Sequence, residues 1–529
     1  MLNSERRLIE ARLPAARAWA RANRLDHIVV DAPQRRLGLI TVGKAHQDLM
    51  QAVRDLGLVE DDLATLGISI YKVAMSWPLE TQGALAFAAG HDEVLVIEEK
   101  RANVETQLKD ALFHCRAEAR PRVCGKVDAH GAPLLPEVSE FNPRLVSRVL
   151  LARMAATGID APRVRDRMAE LEATARPVPA GVIPIRKPYF CSGCPHNSST
   201  RTPDGSVSGG GIGCHVMVLS QPDLKTSTFS QMGGEGAQWI GAAPFSQTPH
   251  IFQNLGDGTY QHSGLLAIRA AIAAGTHITY KILFNDAVAM TGGQPAEGAP
   301  DPLRITRQLR EEGVARIALV SDDPTRWQTH ADLAKGVEVF HRDALDAVQR
   351  EFRAIPAVTA IVYEQTCAAE KRRRRKRGTM PDPDRRLYIN QAVCEGCGDC
   401  SVQSNCIAVE PVETLLGRKR AINQSACNKD FSCTKGFCPS FVELEGARLR
   451  KPDAKALLSR EDALLAQIGE PVIPSLEQPF NIYVTGIGGS GVLTMGALLG
   501  AAAHADGRAA TVPDFTGLAQ KNGAVVSQV

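Results

Sequence analysis

The chain has 529 residues, a length that suits three to four domains of about 150 residues each. It is 44% hydrophobic and 22% charged, with 61 Lys and Arg against 58 Asp and Glu, a net charge of +3. So even a balance argues against a protein built to grip nucleic acid, and no apolar run of about 18 residues is present to span a membrane. The start, MLNSERRLIEARL, carries charges where a secretory signal needs an apolar stretch, so the expected location is the cytoplasm.

In chain order, residues 1–24 read as a helix with Leu8, Leu13 and Ala16 on one face. LGLITVG (37–43) is a buried-strand run, HQDLMQAVRDLGL a helix, and EVLVIEE (93–99) a second strand followed by a charged helix near Glu105 to Leu112. Glu98, Glu99 and Lys100 are expected to cap that helix or to pair across an interface. ARPVPAGVIPIRKP (175–188) is proline-rich and reads as a domain boundary. A second α/β block follows: HIFQNLGDG (250–258), a helix through LLAIRAAIAAG, then the strands ITYKILFND, ARIALVSDD (315–323) and AVTAIVYEQ (357–365). Strand alternating with helix predicts a mostly parallel sheet. KRRRRKR (371–377) reads as a solvated linker, or else as a docking patch for an acidic electron carrier. After a helical connector (453–467), FNIYVTGIGGSGVLTMGALLGAAAHA opens a third α/β domain, within which the sequence stops.

Thirteen cysteines, seven of them between 394 and 438, argue for metal or redox centres rather than disulfides. CEGCGDC places Cys394, Cys397 and Cys400 two residues apart, and Cys406 follows. CNKDFSCTKGFCP repeats the run as Cys427, Cys433 and Cys438, with Asp430 where a second cysteine belongs. In the crossed ferredoxin order, Cys394, Cys397, Cys400 and Cys438 serve one 4Fe-4S cluster, and Cys406, Cys427 and Cys433 the other. Asp430 is then a carboxylate ligand of a 4Fe-4S cluster or the vacant corner of a 3Fe-4S cluster. A zinc ribbon is the competing reading of the same CxxC pairs. Residues 385–445 are too short and cysteine-dense to fold on an apolar core, so metal should hold them together. Cys191, Cys194, Cys214 and Cys367 flank the second α/β block and could converge on a third cluster, or form separate redox or zinc sites. Cys115 and Cys124 lack partners at ligand spacing and read as ordinary buried thiols.

Asp257, in the GDG of residues 256–258, and Asn285, in FNDAVAMTGGQ, each end a strand of one parallel sheet. Together with the Ala287 carbonyl they can supply a partial oxygen shell for Mg²⁺, completed by a diphosphate and water. Gly256 and Gly258 let backbone amides approach phosphates. With Gly233 and Gly234 of a preceding GGEG loop, thiamine diphosphate is the leading reading. His196, His215 and His262 lie nearby in sequence and are cofactor contacts or satisfied structural histidines. Gly486, Gly488 and Gly491 form a literal GxGxxG after a strand, but no acidic residue lies about 20 positions on except Asp506 in a turn. That favours a close-packed strand–helix turn over an NAD site.

Taken together, these residues resemble the 2-oxoacid:ferredoxin oxidoreductases, and within them the fused indolepyruvate ferredoxin oxidoreductases. The motifs that carry the resemblance are GLITVGKA, SWPLE and VLVIEEKR, then CSGCPH, GIGCH, GDGTYQHSG and MTGGQ, and finally GIGGSGVLTMG and DFTGLAQKNG. The resemblance implies an α/β multidomain chain. Residues 1–175 form a transketolase C-terminal-like domain, 181–366 a thiamine diphosphate-binding domain, 367–384 a basic linker, 385–447 a small 2[4Fe-4S] ferredoxin-like module, and 476–529 the start of an α/β gamma domain. It further implies that Cys191, Cys194, Cys214 and Cys367 hold the 4Fe-4S cluster proximal to thiamine, and that Asp257, Asn285 and Ala287 match the family's Mg²⁺ ligands.

The implied reaction is oxidative decarboxylation of an arylpyruvate to its acyl-CoA, with CoA as co-substrate and electrons leaving singly through up to three iron–sulfur clusters to ferredoxin. The family's pyrimidine-binding domain, with its activating glutamate, would come from outside this sequence, so the chain alone is expected to be inactive and to work in a homo-oligomer or with another subunit. An electron-transfer scaffold, a thiamine lyase without redox, and another 2-oxoacid as substrate remain the alternatives.

Overall fold

The structure is a computed structural model that describes residues 2–174, 188–291, 293–298, 301–449, 454–470, 472–473, 475–477, 479–516 and 524–529. Nearly all of the proline-rich boundary at 175–188, part of MTGGQ and most of DFTGLAQKNG lie outside those residues. The fold is mixed α/β, and the chain divides into two compact units, Met1–Ile183 and Pro184–Val529.

The first unit carries a five-stranded sheet of β1 (His27–Val30), β2 (Leu37–Val42), β3 (Ile68–Val73), β4 (Glu93–Ile97) and β5 (Arg122–Cys124), in the order β1-β3-β2-β4-β5. All neighbours are parallel except β1, which runs antiparallel at the edge. β4 is buried at every residue, as a central strand covered on both faces must be. At its start Glu93 accepts two hydrogen bonds of 2.7 Å from Arg153, a buried bidentate pair. Glu98 does cap the next helix, Val104–Phe113: its carboxylate accepts the amides of Asn103, Val104 and Glu105 at 2.9–3.0 Å. Cys124 is buried and Cys115 half-buried.

The second unit is built on a seven-stranded, all-parallel sheet. Its strands are β6 (Val207–Gly210), β7 (Thr226–Phe229), β8 (Ile251–Gly256), β9 (Ile278–Phe284), β10 (Arg316–Ser321), β11 (Glu338–His341) and β12 (Val358–Glu364), in the order β11-β10-β12-β9-β8-β6-β7. β9 and β12 are buried throughout and form the centre, packed by Ile282, Ile317, Leu319 and Val362. Even Lys281 of β9 is buried, its ammonium donating to the carbonyls of Ser199 and Arg201 and to Gln349. Burial pushes its pKa down to about 7.

The basic run differs from a free linker. Residues Ala368–Lys376 continue from β12 as a helix, and its side chains are spent inside the unit. Lys371 pairs with Asp322, Arg374 with Asp286, Arg372 donates to the Ser425 carbonyl and Arg375 to the Asn428 carbonyl. The cysteine-rich segment that follows has two short antiparallel pairs, Arg385–Ile389 with Phe441–Glu445 and Val409–Thr414 with Gly417–Ile422. Its buried apolar cluster is small, Ile389, Cys394, Cys400 and Val409, with Leu387 and Ala408 also buried.

Further on, Ala454–Leu465 is helical, and Tyr483–Ile487, Asp514–Thr516 and Ala524–Gln528 form a small antiparallel sheet beside the helix Val492–Ala505. A Cβ on Gly486 would stand 2.6 Å from Val492, so that glycine serves close strand–helix packing. No helix among the described residues is long and apolar enough to cross a membrane.

Candidate active site

The chemistry of the second unit gathers at the carboxyl ends of neighbouring parallel strands, where open α/β sheets place their ligands. β8 and β9 are paired in register, so the residues that follow them, Asp257 and Asn285, stand side by side. Asp257 is buried, and its carboxylate accepts the amides of Gly258 at 2.8 Å and of Asn285 and Asp286 at 3.1 Å. Burial raises its pKa to about 6. Asn285 directs its amide nitrogen at His196 Nε2, 3.5 Å away, while its side-chain oxygen is buried without a hydrogen-bond partner. An orphaned buried oxygen is costly unless something else fills its coordination. A hard cation beside Asp257 would do so, and the donor set therefore fits Mg²⁺. Asp257, Asn285 and the buried Ala287 all line one cavity.

That cavity encloses about 1290 Å³ of empty space, part of it open to solvent, and its walls include Ile212, Met232, Val288 and Met290. Gly256 and Gly258 line it; Gly233 and Gly234 do not, although their neighbour Met232 does. A Cβ on Gly233 would meet Ser263, and one on Gly234 would meet Gln231, so their role is local packing. The informative residue of that loop is Glu235, which the glycine pattern does not signal. It is fully buried, accepts the Gly233 amide at 2.7 Å, and packs against Gly211 beneath the loop that walls the cavity. Burial raises its carboxyl pKa.

A second, smaller cavity lies alongside, ringed by Cys191, Cys194, Cys214 and Cys367. Cys214 follows β6, Cys367 follows β12, and the CxxC turn brings the other two. Cys214, Asn285 and Ala289 line both cavities. His196 and His215 are buried between the strand ends, and burial holds them neutral, with pKa values pushed down to about 3 and about 4. His196 donates to or accepts from Ser199 through Nδ1, which sets the ring that faces Asn285. His215 Nε2, in the wall of the larger cavity, has no partner. His262 also lines that cavity and bonds Ser263.

A third cavity, of about 280 Å³, is lined by Cys406, Cys427, Asp430 and Cys433. The CxxC turn backs onto it: the Gly193 amide donates to Cys406 Sγ at 3.3 Å, and Ser192 Oγ lies 3.5 Å from the same sulfur. Burial raises the pKa of the Cys400 thiol, and the neighbouring Cys438 and Cys394 add to that effect; Cys397 is exposed. No disulfide joins cysteines among the described residues. Nor does any group of three or more His, Cys, Asp or Glu among them stand close enough to share a single metal ion.

Comparison with known proteins gives two domain matches. Residues 27–177 match the Indolepyruvate oxidoreductase domain, and residues 211–354 the C-terminal TPP-binding domain of thiamine pyrophosphate enzymes. Among similar proteins, the indolepyruvate oxidoreductase subunit IorA of Thermococcus kodakarensis is 25% identical over 71% of this chain and 55% of its own length. That of Methanothermobacter marburgensis is 26% identical over 56% and 45%, and that of Archaeoglobus fulgidus 26% over 78% and 60%. The chain thus spans about half the length of the curated relatives it matches. With one match to the Indolepyruvate oxidoreductase domain, one to the C-terminal TPP-binding domain and relatives at 25–26% identity, the chain is similar to the indolepyruvate oxidoreductase subunits IorA.

Proposed function

We propose that this chain forms the thiamine diphosphate and iron–sulfur portion of an enzyme that oxidatively decarboxylates a 2-oxoacid, an arylpyruvate such as indolepyruvate, to its acyl-CoA and passes the electrons to ferredoxin. One observation carries this reading: the cavity with the cation ligands and the four-cysteine cavity share a wall of Cys214, Asn285 and Ala289. A carbon centre made electron-rich in the first would have a one-electron acceptor directly behind it.

Thiamine diphosphate supplies the electron sink for decarboxylation, and iron–sulfur clusters accept electrons singly. What the chain's residues do follows from their placement. Asp257 and Asn285 would hold Mg²⁺ and, through it, the diphosphate. His196 meets the Asn285 amide nitrogen, which would leave the side-chain oxygen to ligate the cation. Ile212, Met232, Val288 and Met290 keep one side of the cavity apolar, which suits an aryl side chain and excludes water from the reacting carbon. Cys191, Cys194, Cys214 and Cys367 would hold the first acceptor. The Gly193 amide on Cys406 then joins that site to the next.

The test is anaerobic purification of the full chain, with iron and acid-labile sulfide counted and thiamine diphosphate binding measured by calorimetry with and without Mg²⁺. Three clusters give about 11 to 12 irons per chain, and thiamine diphosphate should bind only with the cation. Zinc in place of iron, or no cation-dependent binding, would refute the proposal.

A further inference from the structure

The loop that holds Asp430 is a backbone copy of the loop that holds Cys397. Cys397 lies between Gly396 (φ 73°) and Gly398 (φ 84°), and Asp430 between Lys429 (φ 53°) and Phe431 (φ 63°). Left-handed backbone suits glycine and is strained at Lys and Phe. The two loops thus share left-handed backbone on both sides of the central residue, with Lys and Phe in place of the two glycines and aspartate in place of cysteine.

The side chains diverge. Cys397 is exposed, whereas the Asp430 side chain is only 9% exposed and already engaged. Arg342 donates to its Oδ1 at 2.6 Å and to its backbone carbonyl at 2.7 Å; Gln365 adds a second bond to Oδ1 at 2.9 Å, and Ser432 donates to Oδ2. Three of the four lone pairs of the carboxylate are taken, and its charge is neutralised by a guanidinium that is itself only 11% exposed. Turning Asp430 towards a metal would strand Arg342 as a buried, unpaired charge, a strongly unfavourable outcome. Arg342 follows β11 and Gln365 follows β12, so the pair ties the cysteine-rich module to the parallel sheet.

Resting on the iron–sulfur reading above, we propose that Asp430 is a structural clamp onto Arg342 rather than a ligand, and that the Cys406, Cys427 and Cys433 site holds a three-iron cluster on three thiolates. The site joined to the proximal one through Gly193 is then the three-iron site, and the Cys394, Cys397, Cys400 and Cys438 group the cubane.

The experiment is low-temperature EPR with an iron count on the full chain purified anaerobically and then oxidised with a mild dye. A three-iron cluster is paramagnetic when oxidised, whereas cubanes of this type are silent. The expected result is one three-iron signal per chain with about 11 irons, kept in the Asp430→Asn protein that assembles even as loss of the Arg342 ion pair destabilises the module, while Asp430→Cys loses the signal and gains an iron. A silent oxidised wild type with about 12 irons would overturn the proposal, as would a signal that arises only in Asp430→Asn. The wild-type spectrum decides even if a variant fails to assemble. Absence of iron would instead sink the iron–sulfur reading itself, a distinguishable failure.

Discussion

Asn285 is the residue on which the proposed cofactor site turns, because its side-chain oxygen is buried with nothing to bond. If that oxygen ligates Mg²⁺, Asn285→Ala should weaken cation-dependent thiamine diphosphate binding at least tenfold, about 1.4 kcal/mol. The fold should remain stable, since the wild-type amide makes only the one long contact to His196. Calorimetry on both proteins at fixed Mg²⁺ checks this, and equal affinities would remove Asn285 from the site. His196 acts one step back. Replacing a group that orients a metal ligand costs about 10- to 100-fold in affinity, so His196→Phe should weaken binding within that range while the iron content stays constant.

Lys281 offers a test of a different kind at the same scale. Its pKa is lowered from 10.5 to about 7 by burial. Between these values the unfolded chain binds more protons at this residue than the folded one, so stability gained at Lys281 rises with pH from about 7 to about 10 and is flat below. Urea denaturation of the wild type and Lys281→Met across that range should show the wild type gaining relative to the variant as pH increases. A difference independent of pH would mean the ammonium stays charged in its ring of carbonyls.

At the scale of elements, the joint between the sheet and the cysteine-rich module is the CxxC turn. Gly193 has φ 63°, and a Cβ there would stand 3.0 Å from the Asp430 Cβ and 3.2 Å from the Asn428 Cβ. Gly193→Ala should therefore destabilise the joint by about 1–3 kcal/mol through backbone strain and crowding, and should alter the spectrum of the Cys406 site while leaving thiamine diphosphate affinity unchanged. A spectrum identical to wild type would show that the amide-to-sulfur contact is not retained once metal is bound.

Elements of this kind were unequally legible in the sequence. The largely apolar strands β9 and β12 announce a buried parallel sheet, and once two strand ends are adjacent, Asp257 and Asn285 follow. The Glu98 cap was also legible, because a carboxylate just ahead of a helix has few other uses. The helical form of Ala368–Lys376 and its pairings are not legible, since a run of like charges carries no sign of the scattered carbonyls and carboxylates, Asp286, Asp322, Ser425 and Asn428, that meet it in space. Glu235 was missed for the same reason: its importance lies in being buried under a loop 24 residues earlier, not in its neighbours along the chain. Asp430 stands out in the sequence as a break in the cysteine spacing, but its reason does not, because Arg342 is 88 residues away.

For the molecule as a whole, the two kinds of packing within the second unit predict different dependence on metal. The parallel sheet has a continuous apolar core, from Ile251 and Leu255 through Ile282 to Val362, that needs nothing bound to it. The cysteine-rich module has Ile389, Cys394, Cys400 and Val409, half of them thiols, and two hairpin-sized sheets that are marginal alone. Its remaining support is polar: the Arg342–Asp430 clamp, Arg375 on Asn428 and Lys429 on Asp382. Removing iron should then leave the sheet intact and open the module, because for a segment with so little core, binding free energy is folding free energy. Hydrogen exchange on iron-loaded and iron-stripped protein separates the two. On stripping, amides of residues 385–447 should exchange at near-unfolded rates, while those of β9 and β12 remain protected. If residues 385–447 stayed protected without iron, the polar clamps would be sufficient to fold the module, and metal would be its cargo rather than its core.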